Sequence, residues 1–228
     1  MKKLTSCFTL AEVLITIGII GIVAAMTLPS LITNYQKKQT VTQLKKVYSI
    51  MSQALQRAEL DYGNFEHWNF FQSGAELNNK YIKPYYTILT DYDKTDFPND
   101  YSITCNNGGN CIGYGVFRTA SKMIIVDGTM LAINPAYSLG TPFMTIMVDL
   151  NGLKKPNKYG RDIFLFTVQP ENGLLPYGVG KLAGDIENES YDRNYLLNGE
   201  YRSCKKDGIF CAALIMSDNW EIRNDYPW

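Results

Sequence analysis

From Val13 to Ile32 the chain carries 20 residues without one charged side chain. At ~1.5 Å of rise per residue a helix of that length crosses a ~30 Å hydrocarbon core. Such a segment has to be covered by lipid or by other apolar helices. Lys2 and Lys3 precede it, which favours a cytoplasmic N-terminus, although Lys37, Lys38, Lys45 and Lys46 follow on the other side. Glu12 lies at the start of the apolar run, with no Lys or Arg in the 20 residues that follow it. An acid at membrane depth costs roughly 2.5–3.5 kcal/mol near mid-bilayer and less near the interface. Either Glu12 sits at headgroup level, or it meets a cation brought by another chain.

The apolar stripe continues as Val41, Leu44, Tyr48, Met51, Leu55 and Ala58. Steps of three and four are the repeat of one helix face. Gly63 is a natural stop. The spacing predicts one long helix over residues 8–62, apolar all round at first and one-sided later, with Pro29 as a kink. Residues 63–228 are long enough for a core of their own. Met123–Val126 and Met130–Ile133 flank Asp127-Gly128-Thr129, a hairpin signal. Phe143–Leu150 and Ile163–Val168 read as two more strands, and Lys154–Gly160 as a loop between them. The fold class expected is α+β, a long N-terminal helix against an antiparallel sheet. Residues 64–120 and 170–228 give no firm pattern.

Lys and Arg total 22 and Asp and Glu total 22, so no clustered positive charge points to nucleic acid. Hydrophobic residues at 46% and charged residues at 19% exclude a disordered chain. His67 is the single histidine, set in an aromatic patch, and no GxSxG, HExxH or Walker A motif occurs. No catalytic residue is expected. Asp91, Asp93, Asp96 and Asp100 read as a solvated acidic loop.

The start of the chain resembles a known family. Ser6-Cys7-Phe8-Thr9-Leu10-Ala11-Glu12 and the apolar run after it look like the signal of type IV prepilins and type II secretion pseudopilins. The resemblance covers Thr5–Ile32. It implies cleavage by a prepilin peptidase between Cys7 and Phe8 and N-methylation of Phe8, with residues 1–7 as a cytoplasmic leader. Glu12 matches the family's assembly glutamate, and Pro29 its helix-loosening proline. Cys7 stands where the family usually has Gly. The implied protein is a pilin-like, single-pass subunit of the bacterial inner membrane, transmembrane over about residues 8–32, with a periplasmic head. Its implied partners are prepilin peptidase, other pilin or pseudopilin subunits, an inner-membrane assembly platform with its ATPase, and the lipid bilayer. The alternative is an exported binding or enzymatic domain held by one uncleaved anchor. A lipobox at Leu4–Cys7 has its apolar region on the wrong side, and an ordinary export signal cut near Ala24–Met26 leaves Glu12 unexplained.

Without Cys7 four cysteines remain, Cys105, Cys111, Cys204 and Cys211. An even number in an exported head suggests disulfides rather than zinc, whose ribbon sites use shorter gaps. Of three connectivities the local pairs Cys105–Cys111 and Cys204–Cys211 are expected. Asp149, Asn151 and Asp162 bracket one loop and could offer oxygen ligands to a Ca²⁺. Major pseudopilins are similar in having a calcium-stabilised loop late in the head. The competing expectation is a turn whose Asp and Asn side chains bond their own backbone.

Overall fold

The computed structural model describes residues 9–109, 111, 117, 119–138, 140–180, 192–200 and 202–228. The chain divides into two compact units, Met1–Gln39 and Thr40–Trp228.

A single helix, α1, runs Leu10–Tyr62 and extends through both. In the first unit its apolar side chains are exposed: Leu14 at 61%, Ile15 at 63% and Ile20 at 66%. This stretch is long and apolar enough to cross a membrane, and none of it is buried inside the protein. Its threonines return their hydroxyls to the helix. Thr16 donates to the Val13 carbonyl, Thr27 to that of Val23, and Thr33 to that of Pro29. Each polar group is thereby satisfied without water. Pro29 lies inside α1, with helix assigned on both sides of it.

In the second unit α1 becomes one-sided. Leu44, Met51, Leu55 and Ala58 are buried, as the stripe predicts, and Val41 and Tyr48 are partly buried. Val47 and Ala54 are buried too, so the buried face is one row wider than the stripe suggests. The helix ends because Gly63 enters the left-handed region at φ 81° while its N–H still reaches the Glu59 carbonyl at 2.9 Å.

Six antiparallel strands form one sheet in chain order: β1 (Ile88–Asp91), β2 (Ser121–Ile125), β3 (Met130–Ser138), β4 (Thr141–Asp149), β5 (Ile163–Gln169) and β6 (Gly173–Pro176). The β2–β3 hairpin forms at Asp127-Gly128-Thr129, with Ile124 opposite Met130 and Gly128 at φ 88°. Every residue of β5 is buried, as is β4 from Phe143 onward. The long apolar runs of these strands match that double cover. Tyr48 of α1 packs on Phe166 of β5, ring centres 5.7 Å apart, and shares one core with Met130, Ile146 and Val168.

The segments without a firm pattern hold short elements. α2 (Gly74–Leu77) opens on a capping box in which Ser73 and Glu76 bond each other's backbone. α3 (Arg193–Asn198) is capped by Asp192, and α4 (Cys211–Ser217) packs on β5 and β6. The acidic stretch 91–100 is not simply solvated. Lys83 Nζ binds Asp91 at 2.8 Å and Asp93 at 2.7 Å, and Ser121 donates to Asp93 at 2.5 Å. Burial pushes the Lys83 amine down, but its bonds to the two carboxylates outweigh that and raise it.

Candidate functional site

Two groups of residues carry the functional expectations, one in each compact unit.

At the start of α1, Thr9 and Glu12 form a reciprocal capping box. Glu12 Oε2 accepts from the Thr9 N–H at 2.8 Å and from its hydroxyl at 2.9 Å. Thr9 Oγ1 accepts the Glu12 N–H at 3.3 Å. The carboxylate therefore has donors within its own chain. Neither expectation for Glu12, headgroup level or a cation from another chain, named Thr9 as a donor. Thr9 was legible, since a Thr three residues before a Glu at the head of an apolar run is the capping-box pattern. Cys7 and Phe8 lie outside the described residues.

The second group surrounds the loop between β4 and β5. Both cysteine pairs are bonded as expected: Cys105–Cys111 with Cα atoms 5.3 Å apart, and Cys204–Cys211 with Cα atoms 4.5 Å apart. The two disulfide loops are stitched together. The Asn106 and Asn107 N–H groups donate to the Asp207 and Lys206 carbonyls at 3.3 and 3.1 Å. The Asn106 side chain bridges the Cys204 and Pro227 carbonyls at 2.7 and 3.0 Å. Thr104 pairs with residues 157–159 of the β4–β5 loop. Tyr226 donates to the Gly160 carbonyl at 2.5 Å. Gly160 sits at φ 78°, and a Cβ there would stand 2.5 Å from Cys211 Sγ, so this contact admits only glycine. Four stretches distant in sequence become one block.

Within it the structure brings the three candidate calcium ligands together; the carboxylate oxygens of Asp149 and Asp162 already have protein donors, while Asn151 Oδ1 is buried without a hydrogen-bond partner among the described residues. Asp162 Oδ2 accepts from the Asn157 N–H at 2.9 Å and from the Asn151 side chain at 3.0 Å. Asp162 Oδ1 accepts from the Lys158 N–H at 2.6 Å. Asp149 takes the Asn151 N–H at 3.1 Å on Oδ1 and the Tyr101 hydroxyl at 2.5 Å on Oδ2. This is the Asp/Asn turn weighed against calcium, and it works as a clamp on the loop. Among the described residues no group of three or more His, Cys, Asp or Glu side chains is placed to hold a metal ion. Burial pushes the Asp149 carboxyl up to about 8, against the Tyr101 hydrogen bond and with the added repulsion of Asp162. Burial also raises Asp162, despite its backbone donors. Tyr101 went unnoticed in the sequence because nothing near it signals a partner 48 positions away.

His67 is exposed on a short turn after α1.

A family model described as "Family of unknown function (DUF6613)" matches residues 30–228. The chain belongs to that family. The DUF6613 match takes in the whole Thr40–Trp228 unit, including the disulfide block, and starts one residue after Pro29. No curated protein and no solved structure matches the chain.

Proposed function

We propose that this protein is a pilin-like structural subunit of a type II secretion pseudopilus or type IV pilus-like filament, without catalytic activity of its own. The observation that carries the reading is an acid at the head of a helix whose apolar side chains over the first stretch are unburied, with Leu10 78% and Ile20 66% exposed. Such a rod needs lipid or copies of itself, and a carboxylate at its head suits a cationic partner.

Prepilin peptidase cuts between Cys7 and Phe8 at the cytoplasmic face and frees an amine, which is then methylated. The Glu12 carboxylate of a neighbouring subunit attracts that ammonium group. Pairing neutralises both charges and sets the axial register of the two helices. The helices then pass from the inner membrane into a helical bundle. Lipid tails are about as apolar as Leu, so the transfer need not lose hydrophobic stabilisation. An assembly platform and its cytoplasmic ATPase drive insertion, and the periplasmic heads form the filament surface. The covalently braced Thr40–Trp228 unit suits a subunit that works outside the cytoplasm.

Mass spectrometry of the native N-terminus tests this. A methylated Phe8 is expected. An intact Met1 would instead identify an exported domain on a plain anchor. In cells, Glu12→Ala leaves cleavage and membrane insertion nearly intact but stops assembly, because a buried charge stripped of its partner costs several kcal/mol. Normal filaments from that variant would refute the mechanism.

A further inference from the structure

Both hydrogen bonds that Thr9 gives to the Glu12 carboxylate fall on the same oxygen, Oε2. Glu12 is exposed on the first turn of α1, and among the described residues its Oε1 takes no hydrogen bond from Thr9. A free glutamate has three rotatable bonds, and in an apolar surround its carboxylate turns toward water or lipid headgroups. Thr9 prevents that by gripping one oxygen through two donors, its backbone N–H and its hydroxyl. A backbone N–H alone could not supply both. The Thr9 hydroxyl also accepts the Glu12 N–H, so the grip and the first helical turn form together.

We propose that Thr9 is the positioning residue for the assembly contact, holding Oε2 of Glu12 so that Oε1 is presented as the acceptor for the terminal ammonium of a second copy. This rests on the filament reading and extends it by naming the residue that aims the carboxylate and the oxygen left for the partner. The carboxylate is oriented before the neighbour arrives, so less freedom is lost when the ionic contact forms.

The experiment compares full-length Thr9→Val, Thr9→Ser and Glu12→Ala in cells carrying the filament machinery, scoring assembled subunit per processed subunit. Processing is read in the same samples by mass spectrometry, which separates assembly from cleavage. Thr9→Val keeps the backbone N–H and the side-chain shape but lacks the hydroxyl. Its assembled fraction should fall about fivefold, the equivalent of a lost helix cap. Thr9→Ser restores the hydroxyl and should return assembly to within about twofold of the parent. Thr9→Val assembling normally beside a failed Glu12→Ala would overturn the positioning role and leave the filament reading standing. Equal failure of Thr9→Val and Thr9→Ser would also overturn it, since shape and not hydrogen bonding would then matter. Normal assembly of Glu12→Ala would remove the filament mechanism and this proposal with it.

Discussion

Asp149 makes the head less stable as the solution becomes more alkaline. Its side chain is fully buried at the end of β4, no Lys or Arg among the described residues forms an ion pair with it, and Asp162 adds a like charge. In the unfolded chain the carboxyl gives up its proton near 3.8, whereas in the folded protein it holds the proton to about 8. Stability from the protonated form is complete below the unfolded value and is lost progressively as pH rises through the folded one. At ~1.4 kcal/mol per unit of pKa difference, the whole loss is ~6 kcal/mol, of which ~3–4 kcal/mol falls between pH 5 and 8. For a domain of this size that is a Tm lower by ~10 °C at pH 8 than at pH 5. Asp162 and Asp207 are raised by burial and act in the same sense. Asp91 and Asp127 are lowered: burial opposes this, but Lys83 and Lys46 outweigh it, and their contribution is lost only in acid. The assay is thermal unfolding of the detergent-solubilised full chain, followed by tryptophan fluorescence at several pH values, for the parent and Asp149→Asn. Asn is neutral at every pH and can still accept from Tyr101, so the variant should lose more than half of the slope and overtake the parent at pH 8. A parent Tm that is flat or rises from pH 5 to 8, or an Asp149→Asn slope equal to the parent's, would refute the reasoning.

Replacing Cys105 and Cys111 together by Ala, or Cys204 and Cys211 together, should each cost about 2 kcal/mol, because each bridge closes only a short loop. Non-reducing peptide mapping checks the local pairing, and denaturant melts check the loss. Asp162→Ala removes the acceptor of two backbone N–H groups and the Asn151 side chain and should cost ~2–4 kcal/mol by leaving those donors unpaired. Because protein donors already occupy its oxygens, chelating divalent cations should leave the Tm of the parent unchanged. A calcium-dependent rise in Tm that Asp162→Ala abolishes would reinstate the calcium site.

Elements whose signal is local were legible. The stripe Leu44, Met51, Leu55, Ala58 is a helix face, and those residues are buried. Asp127-Gly128-Thr129 is turn chemistry, and the β2–β3 hairpin closes there. β1 and β6 span four residues each, too short for alternation to stand out, and they take their place from their neighbours in the sheet. Val47 and Ala54 lie one row off the stripe and are buried because the cover over α1 is wider than one seam. Asp91 and Asp93 resemble any acidic loop until Lys83 and Ser121 are placed beside them.

Periodicity, turn residues and cysteine spacing therefore pointed, with no partner in view, to a long helix with one unburied apolar stretch, four strands of an antiparallel sheet and, as one choice among three connectivities, two local bridges. These depend on residues within a few positions of one another, where backbone geometry alone selects the outcome. Only the tertiary structure decided that Tyr101 reaches Asp149, that Asn106 ties Cys204 to Pro227, and that Tyr226 closes on Gly160. Those contacts join segments dozens of residues apart, and no short pattern records them. They exist because packing Tyr48 of α1 on β5, and α4 on β5 and β6, brings buried polar groups together, where each must find a partner from whatever chain is nearby.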